Sequence, residues 1–187
     1  MKQILIAGIL GGIVAFVCSA AIHMSPLGIM GLSVLNEKED AVLTALKSNI
    51  SNDGLYFFPG RDMSKTPTTE EENAWNAKYK AGPIGLLLYH PVGSDPMSPK
   101  QLGMEFLTTV VCALIAAFIL ASTVGSLSSR AILVGLIGLF AWFAISLSQW
   151  NWYGFPFKFI LLDGVDQIIG WIVAGFVIAK MVKPANQ

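Results

Sequence analysis

The sequence predicts an all-α membrane protein: a bundle of four transmembrane helices with a small α+β extracytoplasmic cap inserted between helices 1 and 2. Three observations carry this expectation. The 187-residue chain is 54% hydrophobic but only 13% charged, about half of the ~25% charge of an average soluble domain. Residues 24–100 hold 16 of the 24 formal charges, leaving eight for the other 110 residues. Those other residues contain four stretches near the ~20 apolar residues a helix needs to cross a bilayer. The 12 basic and 12 acidic side chains cancel, which argues against nucleic acid as a partner, since that requires a basic surface. Two cysteines exclude a disulfide framework and a four-cysteine zinc site. Cys18 and Cys112 are expected to be free.

Residues 1–23 form the first span. Ile4 to Ile22 carries no charge. The apolar core of a secretory signal usually has 7–15 residues, and this run is longer, so an uncleaved helix is expected. Gly8, Gly12, Ala15 and Ser19 recur every three or four residues. Such a small-residue stripe lets helix backbones approach closely.

Residues 24–100 read as helix, strand, helix, strand. Asn36 with Glu39, and Thr69 with Glu72, have the spacing of helix-starting capping boxes. Val42, Ala45 and Leu46 follow the first box at helical period, and Trp75 and Tyr79 follow the second. Asn52-Asp53-Gly54 is a turn signal. Leu55 to Phe58 and Ile84 to Tyr89 are short apolar strands stopped by Pro59-Gly60 and His90-Pro91. The runs 54–59 and 85–91 echo each other weakly, as a repeat or as two chance apolar strands. Two strands alone are marginal in water. The isolated fragment 24–100 is therefore not expected to unfold cooperatively.

Residues 101–187 hold three further spans, at about 102–127, 131–149 and 158–181. Lys2, Arg130, Lys180 and Lys183 then all fall on one side. The positive-inside rule makes that side cytoplasmic, with both termini inside and residues 24–100 outside, in a bacterial inner membrane. The stretch 148–159 is expected to be a loop, with Trp150, Trp152 and Tyr153 at headgroup depth. Aromatic rings with a polar tip favour that layer. The plainer reading is an anchor; the sharper one is a docking surface for lipid, quinone or pigment.

Few residues carry chemistry. Asp163, Asp166 and Gln167 stand at i, i+3 and i+4, one helix face. With His23, Glu105 and Gln149 they bring a polar group from every span to the outer third of the membrane. Charges within lipid are expensive and face a bundle interior. These residues read either as a hydrogen-bonded clamp or as a proton or cation site. A catalytic reading is weaker, because the chain has two histidines, His23 and His90, and no HExxH, phosphate loop or nucleophile elbow. The expectation is a protein that is not an enzyme and holds no cofactor: an accessory, structural or assembly subunit of a larger inner-membrane complex, such as an energy-converting one. Its partners would be the lipid bilayer and other membrane subunits. The alternative is a small proton- or cation-responsive transporter-like protein using Glu105, Asp163 and Asp166.

Overall fold

A computed structural model describes residues 1–185; Asn186 and Gln187, the end of the expected region 101–187, lie outside it. Four helices are long and apolar enough to cross a membrane: α1 (Lys2–His23), α4 (Pro99–Ala121), α5 (Leu127–Tyr153) and α6 (Phe157–Met181). They belong to one compact unit, residues 1–32 together with the chain from Asp95 onward. Residues 33–94 form a second. It is shorter than the stretch 24–100, because the 3-10 turn Pro26–Ile29 stays with the helices and Lys100 lies within α4.

The helices alternate in direction and meet tightly at one end. There Ala7, Ala113, Ala116, Ala117, Leu120, Val134, Ile178, Ala179 and Val182 form a single buried cluster. The small side chains set how closely the backbones approach. A Cβ on Gly12 would lie 2.7 Å from the Cα of Val110, so α1 and α4 touch where the glycine stripe runs. We call this the closed end. Beyond Ala15 on α1 and before Ala113 on α4 no residue is fully buried. At this open end the two helices are less buried, and Phe16 meets Phe106 edge to face.

Three expected boundaries shift. The second span ends at Ala121 rather than 127, because Gly125 turns the chain at a φ of 128° and the Ser126 hydroxyl accepts from the amide of Ser129. That N-cap starts α5 at Leu127, so Arg130 lies inside a helix and not in a loop. It is 2% exposed. Its guanidinium donates to the carbonyls of Leu120 (2.8 Å), Ala179 (3.1 Å) and Val182 (2.9 Å), with the Thr123 hydroxyl 3.4 Å away. Those carbonyls end α4 and α6, where the helix dipole is negative. The third helix also runs past 149 to Tyr153. Trp150, Trp152 and Tyr153 are therefore helical, and the loop shrinks to residues 154–156. Gly154, at a φ of 71°, closes the helix in the left-handed conformation a glycine adopts without strain.

The second unit contains α2 (Glu39–Asn49), β1 (Gly54–Phe58), α3 (Thr69–Ala81) and β2 (Gly85–Tyr89). The expected order of elements is present. The two runs that echo each other in sequence pair antiparallel, Gly54 opposite Tyr89 and Phe58 opposite Gly85. From α3, Trp75 donates to the Pro59 carbonyl at 2.9 Å and Tyr79 packs on Phe57. Both capping boxes are corrected. Asn36 makes no cap; it opens a 3-10 turn at a φ of 50°, and α2 starts at Glu39. The second box is Thr68 with Glu71, one residue earlier than Thr69 with Glu72. The Thr68 amide and the Lys65 ammonium hold the Glu71 carboxyl below its usual range. The Ser64 hydroxyl and amide do the same for Asp62.

Candidate functional site: a carboxylate-lined cleft between the helices

At the open end α1, α4 and α6 line a cleft of about 620 Å³. Its polar lining includes Ser19 and His23 from α1, Glu105, Thr108 and Thr109 from α4, and Asp163, Asp166 and Gln167 from α6. Five of the six expected polar residues thus share one space. Gln149 does not line it.

Two π-helical turns shape this region, Trp142–Ser146 in α5 and Asp166–Gly170 in α6. Such turns insert one residue into an α-helix and recur at functional sites. Each supplies polar groups here. Ser146, on the first, donates a short hydrogen bond to Asp163 Oδ2. Gln167, on the second, donates to both oxygens of Asp163 at 3.0 Å. Trp142 donates through Nε1 to the Ile160 carbonyl at 2.7 Å, and Gly164 leaves room for its ring. The backbones are also close: a Cβ on Gly138 would lie 2.0 Å from the Gln167 carbonyl oxygen.

The two aspartates face different neighbours. Asp163 ties α6 to α5. Asp166 ties α6 to α1: its Oδ2 accepts from the Ser19 hydroxyl at 3.0 Å and lies 3.5 Å from His23 Nε2. Glu105 adds a carboxylate from α4. Among the described residues, neither Glu105 carboxylate oxygen accepts a hydrogen bond, and nor does Asp166 Oδ1. Part of the cluster therefore clamps helices, and part is left free to accept. No lysine or arginine lines the cleft. Among the described residues no group of three His, Cys, Asp or Glu side chains could hold a metal ion.

The aromatic residues lie elsewhere. Trp150 packs on Phe157 across the short loop; Trp152 and Tyr153 are largely exposed. Cys18 and Cys112 are both free, and Cys112 lines the cleft. Three polar side chains that join helices, two at the cleft and Arg130 at the closed end, were not anticipated. Ser19 stood out only for its small size, Ser146 lay inside an apolar span, and Arg130 read as a loop marker. Their partners are 147, 17 and up to 52 positions away in sequence.

No protein-family model matches the chain, and no curated protein or solved structure matches it either.

Proposed function

We propose that the chain is a non-catalytic membrane protein whose open-end cleft binds a positively charged group. One observation carries this reading: α1, α4 and α6 surround a cleft lined by three carboxylates, with no lysine or arginine among its lining residues. Ionisable groups within membrane spans mark ion and substrate sites, and the volume suits a small-ligand pocket. The spare oxygens of Glu105 and Asp166 are the acceptors such a group needs. A hydrolytic role is disfavoured by order. Ser19 and His23 approach the same oxygen of Asp166, so the imidazole does not stand between hydroxyl and carboxylate as a nucleophile–base relay requires.

Lys2, Arg130, Lys180 and Lys183 mark the closed end as cytoplasmic. The cleft then opens in the outer leaflet of a bacterial inner membrane, and residues 33–94 are extracytoplasmic. The test is thermal unfolding of the detergent-purified chain in sodium, potassium or ethanolammonium chloride at equal ionic strength. Saturable stabilisation by one of these cations, abolished by Asp166→Asn, is expected; no stabilisation by any of them would end the proposal.

A second reading is compatible with the first. Helix α5 packs chiefly against α6 and leaves Phe140, Phe143, Ile145 and Trp152 facing outward. An accessory subunit would use such a face to meet another membrane protein. Native purification with mass spectrometry should then recover a stoichiometric membrane partner, and a chain that runs alone would exclude one.

A further inference from the structure

We infer that residues 24–32, which follow the first span, lie flat on the bilayer at the open end with their apolar side chains among the lipid acyl chains. The uncharged run outlasts the helix that needs it. No lysine, arginine, aspartate or glutamate falls between Lys2 and Glu37, yet α1 stops at His23. Its 22 residues measure about 33 Å, already enough for a hydrocarbon layer of about 30 Å. Beyond it Met24, Leu27, Ile29, Met30 and Leu32 are between 48% and 79% exposed. Apolar residues scattered singly over a surface need no explanation, but a contiguous exposed group marks a site of contact.

Gly31 fixes the level of this segment. A Cβ there would lie 2.4 Å from the Cα of Phe159, so its backbone touches the first turn of α6, which begins at Phe157. Eight residues past the end of α1 (31 − 23), the chain has returned to the mouth of the bundle. Extended, the same eight residues would have carried it about 26 Å away. The neighbours at this level are aromatic: Phe159 packs on Phe155, and Phe157 on Trp150. Aromatic rings with a polar tip, such as that of Trp150, favour the membrane boundary.

The backbone is prepared for a dry side. The amides of Met24 and Ser25 donate to the carbonyls of Ala20 and Ile22, and those of Gly28, Met30 and Leu32 to the carbonyls of Ser25, Leu27 and Ile29. The Leu27 amide donates to the Ser25 hydroxyl, and Pro26 has no N–H. Where water is scarce an unpaired amide costs several kcal/mol; a loop surrounded by water has no such need. The segment also continues directly from a helix whose Ile13 and Val17 are exposed, as lipid-facing residues are. Lipid is therefore the occupant that fits both the side chains and the main chain.

Two methionines allow a test on the unmodified chain. Met24 is 79% exposed and Met63, in the second unit, 77%. The full-length chain is placed in phosphatidylcholine nanodiscs and treated with hydroxyl radicals generated in the water, and sulfoxide at each methionine is read by peptide mass spectrometry. Oxidation follows access to the oxidant, so with Met24 in lipid it should react about tenfold more slowly than Met63. Rates within about twofold of each other would overturn the proposal, since both side chains would then stand in water. In parallel, a diazirine probe dissolved in the bilayer and activated by light should label the peptide 24–32 as heavily as the one around Phe140, which is 74% exposed on α5. Protection of Met24 without that label would show that protein rather than lipid covers the segment, and would overturn the proposal equally.

Discussion

The two ends of the helical unit handle charge in opposite ways. At the closed end Arg130 is buried, and its donors are taken up by three carbonyls and a hydroxyl of the same chain. At the open end three carboxylates stand around a cleft, and the protein satisfies some of their oxygens and leaves others free. Glu105 is exposed and Asp166 partly so, whereas a buried charge such as Arg130 needs partners. Where the chain supplies all of them, the charge fastens helices. Where it supplies some of them, the remainder are available to a ligand. The difference predicts that substitutions at the closed end change stability and those at the open end change binding.

The largest effect is expected at Arg130. Arg130→Met leaves the carbonyls of Ala179 and Val182 without their donor where three helices meet, while Leu120 keeps the hydroxyl and amide of Thr123. An orphaned buried acceptor costs about 1–3 kcal/mol, so a loss of about 3 kcal/mol or more is expected from unfolding in mixed micelles. Arg130→Lys should recover little, because an ammonium on a flexible stem cannot reproduce the planar fork. A loss below about 1 kcal/mol in the methionine variant would show that the closed end does not depend on this charge.

Gly138→Ala comes next. The new methyl would press on the Gln167 carbonyl, part of the π turn that carries Asp166. Overpacking of this kind costs about 1–3 kcal/mol, and cation binding should weaken with stability because the turn must move. Ser146→Ala should cost less, about 1 kcal/mol, since Asp163 keeps its bonds from Gln167. A double-mutant cycle with Gln167→Ala would show coupling between the two donors if they share one clamp; strict additivity would separate them.

The spans were legible because lipid imposes a single demand. A helix satisfies its own backbone groups, so an uninterrupted apolar run suffices to mark it. The stripe of Gly8, Gly12, Ala15 and Ser19 was legible for a related reason: close packing needs small side chains wherever the partner lies. What could not be read is phase and pairing. Gln149 was expected to join the polar cluster because it ends the third apolar run on the outer side, which says nothing of the helix face it occupies. A π turn adds a residue, which rotates everything after Ser146 by roughly 100° relative to an unbroken helix. Nothing in a hydropathy pattern signals that insertion. Arg130 misled in another way: a base between two apolar runs reads as a loop, and only the helix ends that converge on it reveal a clamp. The signals for the true boundary, Gly125 and Ser126, were present but weaker than the charge beside them. The aromatic helix end was legible in the same sense, through Gly154 and Pro156, but the aromatic and polar character of the stretch 148–159 outweighed them.

Glu105→Gln is the sharpest test because its structural effect is the smallest. The side chain is exposed and its carboxylate accepts no hydrogen bond among the described residues. Its neutral isostere should leave stability within about 0.5 kcal/mol, as for surface positions generally. If the free carboxylate serves a ligand, the same substitution removes one of the charges that ligand reads, and stabilisation by ethanolammonium should fall several-fold with no shift in the ligand-free unfolding curve. An Asp166→Asn variant cannot give so clean a result, since Asp166 also holds Ser19 and His23. Should Glu105→Gln instead destabilise the chain as strongly as Ser146→Ala, the open end would be a clamp like the closed one, and the division between a fastened end and a receptive end would collapse.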